Sequence, residues 1–504
     1  MSEPIHVQGT DAGERSPVTE AQQRRALKRL RSLLPENCLL TRPAALKPYE
    51  TDGLTAIRER PWLVALPETE AAVAGVLAIC REEGVPVVPR GAGTGLSGGA
   101  RPLADGVLLG LSKLDRILEI DLENRAARVQ PGVRNLAISE AVAADGFYYA
   151  PDPSSQIACS IGGNVAENSG GVHCLKYGLT VHNVLGLTVL TFEGDRLEIG
   201  GPGNEPECLD LLALFCGSEG LLGVVTEVWV RLLPVPPQRR VLLGAFPAVA
   251  GAADAVAAII GSGLVPAGLE MMDRLAVQAA EAFVHAGYPL DAEAVLLCEL
   301  DGVAEEVAAD ARLVKRLFRD FGATDVQVAE TPEEQSRLWL GRKAAFPAVG
   351  RLAPDYYCMD GTIPRASLAA VLGRISERSA HYGLAVANVF HAGDGNLHPL
   401  ILYDANRPGE LEQAEAFGAE ILGLCVAVGG TVTGEHGVGV EKLAPMCGQF
   451  TAAELSQFFR LKAAFDPDGL LNPGKAIPTL TRCAEVGGMH VHGGRLPFPN
   501  LERF

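Results

Sequence analysis

Hydrophobic and polar positions in the first half of the chain follow two periods, one helical and one strand-like. Apolar residues recur at helical spacing from Pro17 to Leu34, which predicts a surface helix capped by Ser16. Apolar runs over 62–66 and 85–89 enclose a helical pattern over 68–83, so we expect a strand, a helix and a strand. The first half is therefore predicted to be α+β. Its further elements are strands at 107–111, 117–120 and 126–129, a helix at 133–144, and an irregular stretch to residue 178.

A proline-rich segment, LPVPPQ at 233–238, separates the two halves. Successive prolines cannot join a central strand, so we interpret this segment as a linker at a domain boundary. Residues Leu384 to Tyr403 alternate like two paired strands around an Asp-Gly-Asn turn. The second half is therefore predicted to be another α+β domain. Its other elements are strands at 241–246 and 294–300 and helices at 249–260, 303–321, 367–381 and 410–428.

Charge and composition exclude several classes of protein. The 504 residues include 43 Lys and Arg against 61 Asp and Glu, and the net charge of −18 repels nucleic acid and anionic lipid. The N-terminal residues lack the basic and apolar segments of a signal peptide, and no apolar stretch is long enough to span a bilayer. The 11 cysteines include no Cys-x-x-Cys pair, which argues against an iron–sulfur cluster in this chain and for reduced thiols. We therefore expect a cytoplasmic globular protein.

Two glycine-rich segments carry the first candidate chemistry. Residues Val87 to Ala100 are VVPRGAGTGLSGGA, and five glycines from Gly91 to Gly99 allow backbone N–H groups to face one pyrophosphate without interference from Cβ atoms. The segment lacks the Gly-Lys-Ser/Thr of a P-loop and the spacing of a Rossmann turn. A second segment, SIGGNVAENSGGVHCLKYG at 160–178, again combines glycines with amide side chains. A structural turn explains the first segment alone equally well, but two such segments in one domain favour a bound ligand.

Four segments resemble the FAD-binding segments of vanillyl-alcohol-oxidase-type flavoproteins: the two glycine-rich segments, CGSEGLLGVVTEV at 216–228 and FDPDGLLNPGK at 465–475. The motifs HAGDGNLHP and GEHGVG resemble the 2-hydroxy-acid dehydrogenase branch, and the sequence from Leu461 onward resembles the flavin-bearing catalytic subunits of bacterial glycolate oxidases. The resemblance implies oxidation of a small 2-hydroxy acid by hydride transfer to FAD, with glycolate as substrate and D-lactate as the alternative. It also implies an α+β fold, in which a two-part FAD-binding domain is joined to an α+β substrate (cap) domain with an antiparallel sheet.

The resemblance divides the chain into five parts. An N-terminal helix and extension (1–35) precedes the FAD-binding domain (36–235) and the substrate or cap domain (236–450). A C-terminal return to the FAD domain (451–480) precedes a docking tail (481–504). In the tail, a metal-binding role for His490 and His492 is the alternative to docking.

The resemblance implies that the residues from Arg90 to Gly99 hold the FAD pyrophosphate. It also implies that residues 160–164 and 220–225 line the flavin and the adenine. Some relatives link flavin covalently to a histidine in the glycine-rich loop, but this loop contains none, so we expect non-covalent FAD. His173 is interpreted as a packed or surface histidine rather than as a flavin link. The candidate cofactor-binding residues are Arg90, Gly91, Ala92, Gly93, Thr94, Gly95, Leu96, Ser97, Gly98, Ser160, Ile161, Gly162, Gly163, Asn164, Gly170, Tyr177, Gly178, Glu219, Gly220, Val224, Val225 and, in the C-terminal return, Asn472.

Three of the ten histidines, His391, His398 and His436, cluster along the chain with Glu435. The first two bracket a Gly-Asp-Gly-Asn turn, so a hairpin can bring both imidazoles to one side, and a carboxylate from GEHGVG can complete a site of two nitrogens and one oxygen. Ordinary polar hairpin residues are the alternative. The resemblance implies that His391, His398 and Glu435 are ligands of a divalent metal ion, with zinc, manganese and iron as candidates.

His436 resembles the base of this branch, because an imidazole has a pKa suited to removing the hydroxyl proton while hydride leaves the α-carbon. Arg342, in LWLGRKAAF, matches the arginine with which relatives bind the substrate carboxylate, a task suited to a bidentate fork. An exposed arginine at a helix end is the alternative. Cys358 stands where relatives that oxidise 2-hydroxyglutarate have a lysine for the distal carboxylate, so a small monocarboxylate fits better.

Electrons must leave the reduced flavin, and the sequence shows neither cluster-binding cysteine spacing nor a nicotinamide fingerprint. The resemblance implies two partners, a second FAD-binding subunit and an iron–sulfur subunit of a glycolate oxidase complex, which pass electrons towards quinone at the inner face of the membrane. Membrane association would then be peripheral and would run through these partners. A non-catalytic FAD-binding electron-transfer subunit is the alternative from another class, and the histidine cluster argues against it.

Overall fold

The computed structural model describes residues 15–203 and 209–479, and the part up to residue 234 combines short helices with small sheets. Its strands are β1 Leu39–Leu40, β2 Leu63–Ala65, β3 Val87–Arg90, β4 Val107–Gly110, β5 Ile117–Asp121, β6 Ala126–Val129, β7 Phe147–Tyr148, β8 Val184–Leu190, β9 Arg196–Gly200, β10 Val224–Arg231 and β11 Leu233–Pro234. Its helices are α1 Glu20–Leu33, α2 Pro43–Leu46, α3 Glu70–Glu83, α4 Asn135–Val142, α5 Ile161–Glu167, α6 Cys174–Tyr177, α7 Thr180–Asn183 and α8 Leu211–Phe215.

Strands β2, β4 and β3 pair in parallel in a four-stranded sheet of order β1-β2-β4-β3. Parallel pairing requires a crossover, and α3 supplies it, as the strand–helix–strand pattern predicts. The apolar faces of α1 and α3 cover this sheet. Because β3 ends at Arg90, the glycine-rich loop leaves the carboxyl end of a parallel strand, where open α/β sheets bind ligands. A second, antiparallel sheet has the order β5-β6-β10-β8-β9.

The part from residue 238 onward is built on one large antiparallel sheet of seven strands, in the order β15-β12-β14-β13-β18-β20-β16. Its strands are β12 Gln238–Phe246, β13 Gly268–Asp273, β14 Ala294–Gly302, β15 Asp325–Ala329, β16 Asp355–Cys358, β17 Gly361–Thr362, β18 Val386–Phe390, β19 Asn396–Leu397 and β20 Pro399–Tyr403, where β17 and β19 pair separately. Its helices are α9 Val249–Gly261, α10 Arg274–Val284, α11 Ala304–Asp320, α12 Pro332–Val349, α13 Leu368–Tyr382, α14 Glu410–Ala427, α15 Leu443–Gln449 and α16 Ala452–Phe465.

Alternate residues of the central strand β14 face opposite layers of helices, as the two-residue period of a strand requires. Leu296 and Cys298 belong to the core that α9, α11, α13 and α14 complete. Val295 and Leu297 belong to the core that α10 and α12 complete. The predicted α+β fold, with an antiparallel sheet in the second part, is thus confirmed.

Several elements differ from the expectation. Helix α1 is capped by Thr19 in a capping box with Gln22 rather than by Ser16. The stretch predicted to be irregular contains α5, in which Gly162 packs so closely on Pro131 that a Cβ atom would lie 2.5 Å from the proline side chain. The proline-rich segment is not only a linker, because β11 within it pairs with β7. The pattern also missed β13, β15, β16, α10 and α12.

Every helix within the described ranges is too short or too polar to cross a membrane. Eight cysteines of the described part are free thiols, and seven of these are buried. Cys447 departs from the expectation of reduced thiols, because it is disulfide-bonded. The predicted docking tail at 481–504, with His490 and His492, lies outside the described residues.

Candidate functional site

A cavity of about 460 Å³ lies between the glycine-rich segments of the first part and the histidine cluster of the second. The glycine-rich segments contribute residues 89–96 and most of 159–170 to its wall. The histidine cluster contributes His391, His398, Glu435 and His436. A cavity of this size is typical of a small-molecule site, and its two walls bring together segments that are hundreds of residues apart in the chain.

The glycine-rich loop approaches its neighbours at distances that exclude side chains. Gly93 has a φ of +74°, and a Cβ atom there would collide with the guanidinium of Arg90. Arg90 is held in turn by the carbonyl oxygen of Thr51, to which Nη1 donates at 2.8 Å. Ser160 lies across from Gly91, and its buried Oγ has no hydrogen-bond partner among the described residues. A buried, unpartnered hydroxyl beside a glycine-rich loop fits an oxygen-rich ligand such as the FAD pyrophosphate.

Most of the predicted cofactor residues form the cavity wall, and a few lie behind it. Asn472 donates to the carbonyl oxygens of Glu219, at 2.7 Å, and Gly99, at 3.3 Å, so it supports the wall from outside. Tyr177 donates to Asp301, and Ile161 is buried in a hydrophobic core. The predicted residues on the wall are Arg90, Gly91, Ala92, Gly93, Thr94, Gly95, Leu96, Ser160, Gly162, Gly163, Asn164, Gly170, Glu219, Gly220, Val224 and Val225. The predicted residues that do not line the cavity are Ser97, Gly98, Ile161, Tyr177, Gly178 and Asn472.

Two charged side chains that sequence reasoning did not assign in detail hold the loops together. Lys475 donates to the carbonyl oxygens of Gly99, at 2.9 Å, and Arg101, at 2.6 Å, and burial lowers its pKa to about 7. Glu219 accepts from the backbone N–H groups of Val438 and Gly439, both at 2.7 Å. The C-terminal return therefore fixes the glycine-rich loop, and the CGSEG motif fixes the turn after His436.

The predicted metal ligands meet at one point. The Nε2 atoms of His391 and His398 lie 3.3 and 3.0 Å from the same carboxylate oxygen of Glu435. The two rings are perpendicular, with centroids 5.1 Å apart. Burial opposes the charged form of Glu435, but the two histidines outweigh it and hold the pKa of Glu435 well below its usual range. Two imidazole nitrogens and one carboxylate facing a common point are a donor set that fits a divalent cation.

Asp360 shapes the loop that carries Glu435 and His436, a role that sequence reasoning missed. Its carboxylate accepts from the backbone N–H groups of Gly434 at 3.1 Å, Glu435 at 3.2 Å and His436 at 2.9 Å. The ammonium group of Lys442 donates to it at 3.1 Å. Burial raises the pKa of Asp360, but Lys442 and His436 lower it more. Because the loop wraps around one carboxylate, adjacent residues that would diverge on a regular strand serve the same site.

His436 differs from the other two histidines in its surroundings. Its ring stacks on that of His398, with centroids 4.8 Å apart and planes 14° apart, and its Nε2 lies 3.7 Å from Glu435. Burial lowers the pKa of His436 to about 4, so the imidazole is neutral near pH 7. No described residue bonds to its buried Nδ1. A neutral imidazole on the cavity wall is able to accept a proton.

Arg342 lies in the middle of α12, with only 1% of its surface exposed, so the alternative of an exposed helix-end arginine is wrong. Its guanidinium lines the cavity and donates from Nε, at 2.9 Å, and Nη2, at 2.7 Å, to Glu270. The other oxygen of Glu270 lies 2.8 Å from Nδ1 of His391. Sequence reasoning missed Glu270, although an acidic residue inside the apolar run GLEMM was a usable signal.

Cys358 lies close to the histidine cluster, whereas His173 lies outside the cavity. Cys358 is buried, and its sulfur and the nearest nitrogens of His398 and His436 all lie within 4.8 Å of one another. His173 does not line the cavity and lies between Asp152, at 2.9 Å, and Glu299, at 3.3 Å. The structure therefore places the cysteine near the proposed chemistry and makes the histidine a packed ion-pair residue.

Comparisons with known proteins agree with this geometry. Residues 61–200 match the FAD binding domain family, and residues 235–476 match the C-terminal domain of FAD linked oxidases. The chain is 61% identical over 478 residues to the glycolate oxidase subunit GlcD of Escherichia coli, which covers 95% of this chain and 96% of that protein. It is 40% identical to GlcD of Bacillus subtilis, with 85% and 91% covered, and 33% identical to D-lactate dehydrogenase of Archaeoglobus fulgidus, with 86% and 95% covered.

Solved structures share the fold. p-Cresol methylhydroxylase superposes with a TM-score of 0.79 at 19% identity, covering 92% of this chain and 98% of that one. 4-Ethylphenol oxidase from Gulosibacter chungangensis superposes with a TM-score of 0.77 at 17% identity, covering 92% and 99%. These neighbours confirm the predicted flavoenzyme fold and, at such low identity, the fold alone. Taken with the family matches, they show that the chain belongs to the FAD-linked oxidases and is an FAD-dependent oxidoreductase.

Proposed function

We propose that this protein oxidises a small 2-hydroxy acid, with glycolate converted to glyoxylate as the main reaction. One observation carries the proposal: the glycine-rich segments and the cluster of His391, His398, Glu435 and His436 line one and the same cavity. The high identity to proteins named glycolate oxidase subunits supports the choice of substrate. D-Lactate is the second candidate, because relatives named D-lactate dehydrogenases cover most of the chain at lower identity.

The glycine-rich wall is proposed to bind FAD without a covalent link. The N–H groups of residues 91–95 and the unpartnered Oγ of Ser160 would meet the pyrophosphate, and Lys475 and Asn472 would keep the loop in place from behind. When bound, FAD supplies the acceptor for the hydride that leaves the α-carbon of the substrate.

The histidine wall is proposed to hold a divalent cation through His391, His398 and Glu435. The fit rests on two imidazole nitrogens facing one carboxylate oxygen within 3.3 Å. A divalent cation at such a site lowers the pKa of a hydroxyl group bound to it. Zinc, manganese and iron all accept this donor set, so metal analysis must decide among them.

Three side chains of the protein would then handle the substrate. His436 would accept the hydroxyl proton, since its imidazole is neutral near pH 7 and lines the cavity. Arg342 would bind the substrate carboxylate. Because Glu270 takes the Nε–Nη2 edge of the guanidinium, the Nη1 hydrogens and the second hydrogen of Nη2 are left for that contact. Cys358 offers no charge to a second carboxylate, which favours monocarboxylates.

Electrons are proposed to leave through partner subunits, a second FAD-binding subunit and an iron–sulfur subunit. The printed names of the relatives, which call them subunits, support assembly into a complex. The alternative, an FAD-binding electron-transfer subunit without substrate chemistry, is disfavoured because such a chain has no need for a buried base beside three metal-type donors.

The proposed substrate preference is tested by steady-state kinetics with glycolate, D-lactate and 2-hydroxyglutarate and an artificial electron acceptor. We expect the highest kcat/KM with glycolate, a lower value with D-lactate and the lowest with 2-hydroxyglutarate. Metal content should be measured on the same preparation. A preference for D-lactate would replace the proposed main substrate, and activity with none of the three acids in FAD-loaded protein would refute the proposed reaction.

A further inference from the structure

Glu270 is a buried carboxylate to which the proposed reaction assigns no task, although it contacts two residues of the site. Only 1% of its surface is exposed. One oxygen accepts from Nε and Nη2 of Arg342, at 2.9 and 2.7 Å, and the other lies 2.8 Å from Nδ1 of His391.

The fold fixes this contact from two directions. Strand β13 pairs with β18 in a register that places Met271 opposite Phe390, so Glu270 stands opposite His391 at the end of β18. On β13, Leu269 and Met271 face the core of α9 and α11, and Glu270 therefore points to the other face, where α12 carries Arg342. A single carboxylate thus bridges the proposed substrate clamp and a proposed metal ligand.

We propose that Glu270 is a positioning residue that orients His391 for metal binding and Arg342 for the substrate carboxylate. This inference rests on the proposed function, since it takes His391 as a ligand and Arg342 as the clamp. A carboxylate is an acceptor only, so it keeps the proton of His391 on Nδ1 and leaves the Nε2 lone pair for the point shared with Glu435. The same carboxylate accepts from two N–H groups on one edge of the guanidinium, which limits the rotamers of Arg342.

Glu270→Gln changes this arrangement in a defined way. The amide oxygen can still accept from Arg342, but the amide nitrogen then faces His391 and donates to Nδ1. That bond moves the imidazole proton to Nε2, where it occupies the lone pair that a metal ion needs. The variant therefore keeps the volume of the side chain and loses the tautomer that the site requires.

Glu299 offers a matched control on the neighbouring strand. It is also buried, with 4% of its surface exposed, and it also joins a histidine, His173, to a side chain of α12, Trp339. Neither Glu299, His173 nor Trp339 lines the cavity. Glu299→Gln therefore removes a comparable buried charge beneath the same helix without touching the proposed site.

The test uses full-length, FAD-loaded protein as wild type, Glu270→Gln and Glu299→Gln, and it has two binding readouts besides activity. The first is the dissociation constant of Zn²⁺ and of Mn²⁺, measured by metal analysis after equilibration in metal buffers. The second is the change in the oxidised flavin spectrum on titration with oxalate, which offers carboxylate oxygens and has no hydride to lose. We expect both affinities of Glu270→Gln to fall by about 10- to 100-fold, with FAD content retained and Glu299→Gln unchanged.

Kinetics with glycolate separate positioning from a purely structural role. Glu270→Gln should raise KM through the loosened Arg342 and lower kcat through the lost metal, whereas Glu299→Gln should alter neither.

If Glu270→Gln fails to fold, Glu270→Asp is the second variant. Its carboxylate still only accepts hydrogen bonds, but the shorter side chain holds it farther from its partners. This variant should keep FAD and still bind metal more weakly than wild type. Wild-type affinities for metal and oxalate in the folded Glu270 variant, or equal losses in the Glu299 variant, overturn the proposal. Wild-type protein that glycolate does not reduce would refute the proposed function instead, because the binding readouts do not depend on turnover.

Discussion

Two neighbouring strands carry the same buried motif, yet only one copy belongs to the cavity. Glu270 on β13 joins His391 to Arg342, and Glu299 on β14 joins His173 to Trp339. The copy at the cavity is extended by Glu435, which brings His398 to the same point. The other copy ends at Asp152 and has no access to the cavity. A buried histidine–carboxylate pair is therefore not a site by itself, and convergence of further donors on a ligand-sized space makes the difference.

The histidines of the two regions also differ in their protonation. Burial disfavours charge on His173, but Asp152 and Glu299 raise its pKa to about 10. The pKa of His391 shifts in the same direction, because Glu270 and Glu435 outweigh burial and raise it well above the ordinary value. At His436 burial dominates and lowers the pKa to about 4. Within one cavity, the pKa of His391 is therefore shifted upward by two carboxylates and that of His436 downward by burial.

Flavin release gives the sharpest all-or-none contrast. Because the glycine-rich loop contains no histidine and His173 is engaged by two carboxylates, we expect acid precipitation to release all the yellow colour into the supernatant. Flavin that stays with the precipitated protein would show a covalent link. If His173→Gln then released the flavin, the link would be on His173, and the interpretation of His173 as a packed residue would be wrong.

Replacement of the neutral histidine should give the largest kinetic effect. His436→Ala removes the proposed base and leaves the FAD wall intact, so flavin reduction by glycolate should slow by about 100- to 10,000-fold with FAD content unchanged. His173→Gln is the control and should reduce at the wild-type rate. The measurement is anaerobic stopped-flow absorbance. Equal rates in wild type and His436→Ala would remove His436 from the mechanism.

Substrate size should respond to Cys358 by a smaller factor. Cys358→Lys places a cation near the histidine wall, so we expect the ratio of kcat/KM for 2-hydroxyglutarate over glycolate to rise by about tenfold, as expected for one charge-assisted contact. Cys358→Ser keeps a small neutral side chain and should leave the ratio unchanged. If wild-type protein already uses 2-hydroxyglutarate as well as glycolate, Cys358 does not determine substrate size.

Stability should show the weakest effect, and it reports on the region outside the cavity. The folded state raises the pKa of His173 to about 10, so its ion pairs contribute fully below the unfolded-state value of about 6.5 and are lost as pH rises towards 10. His173→Gln should therefore lower the melting temperature by about 2–4 °C at pH 6, with a deficit that shrinks by pH 9.5. His381→Gln, at an exposed position, is the control and should leave the melting temperature unchanged. A deficit that grows with pH would contradict the assigned charge.

The glycine-rich loop could be singled out from its own spacing, whereas His391, His398 and Glu435 lie in two motifs that only the resemblance joined into one set. The structure brings both groups of residues to one cavity. Glu270 and Asp360 were missed, because their partners stand 121 and 76 residues away and only the folded chain brings them together. The fold shows the same limit. Gly162 suggested a loop, since glycine disfavours helices, but close packing on Pro131 requires that residue inside α5.

Anaerobic mixing of FAD-loaded, metal-analysed protein with glycolate tests the central claim most directly. The absorbance of the oxidised flavin should bleach in a single turnover, with one glyoxylate formed per FAD reduced, and His173→Gln should behave like the wild type. Flavin that stays oxidised with glycolate and with D-lactate, while a chemical reductant bleaches it, would contradict the proposal that this cavity oxidises a small 2-hydroxy acid.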